Sequence, residues 1–295
     1  MINILTKFSL FCLFTVFTSS NARAQAHSYE QSILDWRQER LASLKSENGW
    51  LNLAGLFWLE EGVNSFGAGK TNKVVFPEGK CPELLGLFTL KNGEVWMEPA
   101  PAAAITANGK YVATSIRVFP SDTPVAMQSG SLRWFVIKRE NKYGIRLRDL
   151  EHPALSTFTG VDNYPVDSSW RLRAYLEPAV DKKIPIANVL GQTLVMPSPG
   201  TLVFTLNGVA CRLDALQEGE ELFIIFSDET SGVETYGAGR FLYAGRPGPD
   251  GLTTLDFNKA TNPPCAFTAF ATCPLPPPQN ALPIAVTAGE RKWGH

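Results

Sequence analysis

The chain has 295 residues, of which 44% are hydrophobic and 19% are charged, with 27 basic side chains against 28 acidic ones. These values exclude a disordered tail protein, a coiled coil and a basic nucleic-acid-binding protein, because each of those departs strongly from globular averages. The 24 glycines and 21 prolines indicate many turns. We therefore expect a globular, mainly β protein in which an N-terminal helix precedes two packed antiparallel β units, each a sandwich or a barrel.

No sequence motif for a known chemistry is present. The chain has no metal-ligand box, phosphate loop, nucleophile elbow or dinucleotide-binding fingerprint, and its three histidines, His27, His152 and His295, are scattered. We expect neither a metal site nor a cofactor, and the motifs alone name no reaction.

The first 24 residues are predicted to be a signal peptide. Lys7 supplies the positive end, residues 8–17 form an apolar run too short to span a bilayer, and Ala22-Arg23-Ala24 fits a cleavage site. The mature protein is then exported, to the periplasm or the medium. No second stretch reaches membrane length, and a net charge of −1 offers no basic surface for nucleic acid, so we expect neither membrane insertion nor a nucleic-acid partner.

Residues 25–49 are predicted to form the N-terminal helix. Ser28 and Gln31 have the spacing of a capping box at its start, and Asn48-Gly49 is a stop signal. Four apolar residues fall on one helical face: Ile33, Leu34, Leu41 and Leu44.

Residues 50–180 are predicted to form the first β unit. Short apolar runs with a period of two residues alternate with turns, and Asn92-Gly93 and Asn108-Gly109 are typical hairpin turns. Residues 55–112 are distantly similar to the forkhead-associated sandwich. Ala68 and Lys70 stand where that family has phosphothreonine-reading residues, so the resemblance implies a fold and not phosphopeptide binding.

Arg146 and Arg148 lie on one face of a strongly alternating strand. We expect them to solvate an outer face, with a basic pocket wall as the alternative.

Residues 181–295 are predicted to form the second β unit. A two-residue turn at Asn207-Gly208 pairs Leu206 with Val209, Phe204 with Cys211 and Leu202 with Leu213 on one face. This register makes Cys211 a buried core residue instead of a catalytic thiol.

Three stretches of this unit carry a family resemblance. Residues 228–232, 235–242 and 256–268 read DETSG, TYGAGRFL and DFNKATNPPCAFT, and the similarity extends to residues 273–277, Asn280, residues 288–290 and, near the start, residues 49–51 and 55–56. Over almost the whole mature chain the sequence resembles the family named domain of unknown function 1684. The resemblance implies neither a reaction nor a substrate.

The same stretches contain the candidate site. Asp256 and Asn258 share a strand face, and Asn262 precedes two prolines in a rigid loop. If residues 234–243 pair with residues 252–258, Arg240 comes within reach of Asp256. The predicted pocket would hold a small polar molecule or a sugar, and its residues are Asp228, Tyr236, Arg240, Asp256, Asn258, Asn262 and Glu290. The alternative is structural, with these side chains bonding their own loops and ion pairs.

Three functions compete at this stage. The favoured one is an exported module that binds a small polar ligand. The second is a hydrolase with Asp256 and Glu290 as acid and base and Arg240 stabilising negative charge. The third is a thiol or metal site at Cys265 and Cys273, although we expect these two cysteines to form a disulfide.

Overall fold

The computed structural model describes the backbone of residues 11–293 and side chains from Ser28 onward. The fold is mainly β, with several antiparallel sheets and one long N-terminal helix, α1 (Phe11–Lys45), so the predicted fold class is confirmed. The predicted signal peptide falls partly on residues 1–10, which lie outside the described residues, and its cleavage remains a prediction. Within the described part of the chain, no helix combines the length and the apolar character that crossing a membrane requires.

The described chain divides into two compact units. The N-terminal unit comprises Ser43–Thr159 and Phe267–Ala271. The C-terminal unit comprises the described residues up to Ala42, Gly160–Ala266 and the described residues from Thr272 onward. This division lies near residue 160, whereas the sequence predicts one after residue 180, because the strand that begins at Arg171 pairs with strands of the C-terminal unit.

The N-terminal unit is built from eleven strands and a one-turn helix. The strands are β1 (Leu53–Trp58), β2 (Gly62–Gly67), β3 (Val74–Val75), β4 (Gly86–Lys91), β5 (Glu94–Pro99), β6 (Thr106–Ala107), β7 (Lys110–Tyr111), β8 (Ile116–Phe119), β9 (Met127–Ser129), β10 (Leu132–Arg139) and β11 (Lys142–Asp149), and the helix is α2 (Ala154–Thr157). Their sheet orders are β1-β11-β10-β9-β6-β7 and β3-β2-β4-β5-β8. Side chains of both sheets share one core, in which Trp134 packs 5.8 Å from Phe66 and 5.3 Å from Phe76 between ring centroids.

The predicted Asn-Gly hairpin turns are confirmed. Asn92 and Gly93 have φ angles of 52° and 82°, and Asn108 and Gly109 have φ angles of 47° and 79°. Two successive positive φ angles are typical of the tight hairpin turn that fits the twist of its strands.

The expectation that Arg146 and Arg148 face solvent is wrong. Both are buried, because β11 lies between β1 and β10 and both of its faces are covered. The Arg148 guanidinium donates to the Gly49 carbonyl and to Asn52 Oδ1. Burial, together with the neighbouring Arg146 and Arg133, lowers the pKa of Arg148 to about 10.

The C-terminal unit is built on eight strands. They are β12 (Arg171–Pro178), β13 (Lys183–Ala187), β14 (Thr193–Pro197), β15 (Gly200–Leu206), β16 (Val209–Glu218), β17 (Glu221–Phe226), β18 (Arg240–Gly245) and β19 (Leu252–Asp256). The main sheet has the order β18-β17-β16-β15-β12-β19, and β13 and β14 form a separate hairpin. Short 3-10 helices span Ser168–Trp170, Phe257–Lys259, Pro264–Ala266 and Pro278–Asn280.

The predicted hairpin of this unit is confirmed in its exact register. β15 and β16 pair Leu206 with Val209, Phe204 with Cys211 and Leu202 with Leu213. Cys211 is 3% exposed and belongs to the core, as the register predicts.

The predicted ladder between residues 234–243 and 252–258 is wrong. β18 pairs with β17 and β19 pairs with β12, so the two strands are the opposite ends of one sheet. The sheet curls until these ends meet and is a nearly closed barrel. Among the described residues, hydrogen bonds join these ends at two points. Phe241 and Thr261 exchange two backbone hydrogen bonds of 2.9 Å, and Thr253 Oγ1 donates to the Gly245 carbonyl at 2.7 Å. We call the gap between these two points the seam.

The predicted capping box at the start of the helix is wrong. α1 already runs through Ser28, and the Gln31 side chain donates to Asp35 Oδ1 one turn further along. The predicted apolar face is correct for Ile33 and Leu44, which are fully buried, whereas Leu34 is 40% exposed. Arg37, on the same helix, is half-buried and donates to the Tyr164 carbonyl at 3.0 Å.

Candidate functional site

A cleft of about 530 Å³ opens in the C-terminal unit between α1 and the seam. We call it the seam cleft. The helix contributes five residues that lie on one of its faces: Tyr29, Ser32, Ile33, Trp36 and Arg40. This face therefore combines two aromatic rings and a guanidinium with one buried aliphatic anchor.

The sheet contributes the rest of the lining. These residues come from β12, β17, β18, β19 and the segment after β19, and they are Arg171, Glu221, Tyr243, Ala244, Gly245, Thr254, Asp256, Lys259 and Thr261. The cleft opens here because β19 ends at Asp256 and the chain turns into the 3-10 helix Phe257–Lys259 instead of pairing with β18. The space beside Gly245 is open, since a Cβ added there would meet no atom within 4 Å.

Two cations line the cleft beside aromatic rings of α1. The Arg171 guanidinium carbon lies 5.4 Å from the centroid of the Tyr29 ring, and Lys259 Nζ lies 5.7 Å from that of Trp36. Both distances allow a cation–π interaction. Among the residues that the structure describes, the ion pairs involve other cations, so Arg171 and Lys259 can interact with a ligand.

Asp256 is the predicted site residue that lines the cleft. Both of its carboxylate oxygens accept from the Tyr29 hydroxyl at 2.9 Å, and Oδ1 also accepts from the backbone N–H and Nδ2 of Asn258. Burial and the Asp256 carboxylate raise the pKa of Tyr29, so that hydroxyl stays protonated and donates. Asn258 is fully buried and also bonds both backbone groups of Asp167, which makes it a structural link behind the cleft.

The β17 side of the cleft is acidic. Glu221 stands at the start of β17, and the Tyr243 hydroxyl donates to Glu218 Oε2 at 3.1 Å. Burial of the hydroxyl and the adjacent carboxylate raise the pKa of Tyr243. Glu221 itself is exposed.

Arg240 and Asp228 lie in the core of the unit and do not line the cleft. The two form a fully buried ion pair of 2.9 Å, and the Arg240 guanidinium also donates to the carbonyls of Val286, Ala288 and Glu290. Asp228 Oδ1 accepts from the Thr230 backbone and hydroxyl and from the Val286 N–H. The pair therefore clamps residues 286–290, and Arg240 does not meet Asp256 as the strand pairing predicted from sequence requires.

Glu290 is buried behind Arg40. Its Oε1 pairs with Arg40 Nε at 3.1 Å, and its Oε2 accepts from the Asn262 N–H at 2.6 Å. Burial raises the pKa of Glu290, and Arg40 opposes the shift. Asn262 Nδ2 in turn donates to the Arg291 carbonyl, so Asn262 fixes the C-terminal segment.

Tyr236 lies near the two predicted disulfide partners. Burial raises the pKa of its hydroxyl. The N–H of Cys265 donates to Cys273 Sγ at 3.0 Å, and the N–H of Cys273 donates to Cys265 Sγ at 3.3 Å. The two side chains are thus close neighbours, as a disulfide requires, and the bond itself remains a prediction.

Most of the seam cleft was not foreseen from sequence. Of the predicted site residues, Asp256 alone is part of its lining. The missed residues include Tyr29, Trp36 and Arg40 on α1, Arg171 at the start of β12, Glu221 at the start of β17 and Lys259 after β19. Their signal was the spacing of Tyr29, Trp36 and Arg40 on one helical face, which is also the pattern of ordinary packing.

Comparisons with known proteins identify a family but no activity. Residues 156–291 match the model of a family described as protein of unknown function (DUF1684), so the similarity quoted for residues 49–56 lies outside the matched range. The solution NMR structure of the uncharacterized protein from gene locus rrnAC0354 of Haloarcula marismortui is 34% identical, covering 46% of this chain and 78% of that one, with a TM-score of 0.39. No curated protein matches the chain. Within the described residues, no group of three or more His, Cys, Asp or Glu side chains could hold a metal ion.

Proposed function

We propose that this chain, which belongs to the DUF1684 family, binds a small polar ligand in the seam cleft. The observation that carries the proposal is the convergence of Tyr29, Trp36, Arg171 and Lys259 on one cavity of about 530 Å³. Ligand pockets commonly have volumes of about 300 to 1,000 Å³ and a few polar groups that fix orientation. Aromatic rings and charged groups together suit a ligand with a flat or apolar part and several polar substituents.

A second argument comes from how little of this lining stabilises the fold. Arg171 and Glu221 are exposed, and Lys259 and Trp36 are partly exposed. By contrast, the family motif residues Asp228 and Arg240 are fully occupied by internal contacts. Charged groups that face a cavity and belong to no ion pair among the described residues can bind a ligand.

The position of Glu290 favours binding over the hydrolase alternative. A hydrolase pair needs both carboxylates within reach of one substrate. Asp256 lines the cleft, whereas the oxygens of Glu290 are taken by Arg40 and the Asn262 backbone. Arg240, assigned to charge stabilisation in that mechanism, bonds Asp228 and the C-terminal segment instead.

The proposal includes export, on the strength of the pattern in residues 1–24. Intact-mass measurement of the protein recovered from the periplasm or the medium is expected to give a chain that begins at Gln25. Recovery of the full-length chain from the cytoplasm would contradict export and leave the binding proposal to its own test.

The binding test is a thermal-shift screen of polar metabolites and sugars against three proteins. Gly245→Leu is designed to fill the cleft, because the space beside Gly245 is empty and its backbone is that of an ordinary strand. Arg173→Ala is the matched control, because Arg173 is an exposed outer-face residue two positions after Arg171 that does not line the cleft.

We expect at least one compound that raises the melting temperature of the wild type and of Arg173→Ala but not that of Gly245→Leu. Compounds that stabilise all three proteins equally would place binding elsewhere. We call a compound Gly245-dependent if it stabilises the wild type but not Gly245→Leu. A screen that finds no such compound would contradict the proposal.

A further inference from the structure

The two sides of the seam cleft carry opposite charge. Glu221 is opposite Gly245 in the β17–β18 ladder, and Arg171 is opposite Asp256 in the β12–β19 ladder. Because β18 and β19 border the seam, Glu221 and Arg171 stand on opposite sides of it, one strand away from each border. The cleft therefore has an acidic β17 side and a basic β12 side.

Each side has a second member of the same sign. Glu218 joins the acidic side through its hydrogen bond from the Tyr243 hydroxyl. Lys259 joins the basic side from the 3-10 helix that follows β19. Neither Arg171 nor Lys259 belongs to an ion pair among the described residues, and Glu221 belongs to none either.

The other charged groups of the lining are satisfied internally. Asp256 lies on the basic side, but its oxygens accept from Tyr29 and Asn258. Arg40 is paired with Glu290 and donates to the Asn262 carbonyl. The Asp256 carboxylate therefore stays beside the two cations of the basic side, since Tyr29 and Asn258 are neutral donors, but its oxygens are occupied. The charged groups that belong to no ion pair among the described residues and can bind a ligand are thus a carboxylate on one side and two cations on the other.

Resting on the proposed function, we propose that the ligand is a short zwitterionic peptide. Its terminal carboxylate binds Arg171 and Lys259, its terminal ammonium binds Glu221, and its middle part lies along Trp36. A cation–π pair does not consume the hydrogen-bonding capacity of Arg171 and Lys259. Charge-assisted bonds at both ends would also fix the direction of the peptide in the cleft.

A short peptide carries its carboxylate and its ammonium group at opposite ends. This matches a cleft that has two cations on one side of the seam and, on the other, a carboxylate that belongs to no ion pair among the described residues.

The experiment is calorimetric titration of full-length mature protein with a panel of Ala-X-Ala tripeptides. The best binder is then compared with its N-acetylated form and its C-terminal amide. We expect each modification to weaken binding at least tenfold, because each removes one of the two charges.

Two variants assign the ends. Glu221→Gln is expected to reduce the effect of N-acetylation to less than threefold and to leave the effect of amidation intact. The double variant Arg171→Gln and Lys259→Gln is expected to do the reverse. If N-acetylation and amidation weaken binding to the same extent in Glu221→Gln and in the double variant, the two ends are not bound as proposed. That result would overturn the proposal.

The result separates this inference from the proposed function. If no tripeptide binds but a neutral compound binds wild type and not Gly245→Leu, the peptide inference is overturned and the cleft is still a binding site. If tripeptides bind Gly245→Leu as tightly as wild type, the site is not the seam cleft and the inference is likewise overturned.

Discussion

Arg240 shows how a charged residue of the family motif can serve the fold. Its guanidinium is 0% exposed and connects Asp228 with the carbonyls of Val286 and Ala288. A buried pair of this kind adds little net stability compared with apolar residues. Removing one partner, however, leaves the other charge buried and unpaired in the core.

Arg240→Ala is therefore expected to lower the free energy of unfolding by about 3 to 5 kcal/mol, because Asp228 would be left buried without its partner. Urea denaturation of the purified variant measures this. Arg173→Ala, which removes an exposed ion pair with Asp250, is the control and should cost no more than about 1 kcal/mol. Similar stability of the two variants would show that Arg240 is not a clamp.

Glu290 makes stability depend on pH. Burial raises its pKa above the usual 4.5, so the folded state holds the proton more tightly than the unfolded chain does. The stability that this proton contributes is present below pH 4.5 and is lost as pH rises through the raised pKa. Glu290→Gln cannot titrate.

The stability of the wild type relative to Glu290→Gln should consequently fall as pH rises above about 4.5 and then level off. Urea denaturation of both proteins between about pH 4 and pH 8 gives the difference. A difference that stays constant or rises with pH would contradict the raised pKa.

At the residue scale, the sequence identified charged residues that are buried or line the cleft, but it did not predict their hydrogen-bond and ion-pair partners. It singled out Arg240 and Asp256 as one pair, whereas the fold gives Arg240 to Asp228 and Asp256 to Tyr29. Those partners depend on which strands pair and on where α1 packs, and neither is encoded in the spacing of residues within one segment.

The β15–β16 hairpin is the element that sequence predicted best. Its register follows from a two-residue turn, since Asn207 and Gly208 adopt φ angles of 52° and 79°. Once the turn is fixed, period-two alternation decides every facing pair, including Phe204 with Cys211.

Cys211→Asp is expected to unfold the C-terminal unit, because a carboxylate would replace a thiol that is 3% exposed and faces Phe204. Circular dichroism and urea denaturation would detect the loss. Cys211→Ala is the control, since it keeps the site apolar and removes only one atom. A Cys211→Asp variant as stable as Cys211→Ala would contradict the core assignment.

The loop between Cys265 and Cys273 is predicted to be closed by a disulfide in the exported protein. The reciprocal N–H to sulfur hydrogen bonds place the two side chains side by side, and closing so short a loop contributes about 2.5 kcal/mol in the chain-entropy account of disulfides. Thiol titration of the denatured, unreduced mature protein should find two free thiols, those of Cys81 and Cys211. Four free thiols would eliminate the bridge.

The ends of α1 were predicted less well than its apolar face. The Ser28 and Gln31 pattern is typical of a helix start, yet the chain before it continues the helix. A capping box supplies hydrogen bonds to the first N–H groups of a helix if the helix begins there. It does not prevent the residues before it from being helical.

At the scale of the whole molecule, the fold class followed from composition and period-two patterns, whereas the site followed from topology. The seam exists because the main sheet of the C-terminal unit curls until β18 and β19 meet without forming a ladder. The cleft also requires α1 to pack against the seam, which brings together residues more than one hundred positions apart, such as Trp36 and Lys259. No local pattern in the sequence indicates it.

The central claim is that the seam cleft is a binding site, and a crystal structure with the strongest Gly245-dependent ligand tests it most directly. The predicted result is ligand density between Trp36 and Thr254, with polar groups of the ligand on Arg171 and Lys259. Density at any other place on the protein, with the seam cleft empty at saturating ligand, would contradict the claim.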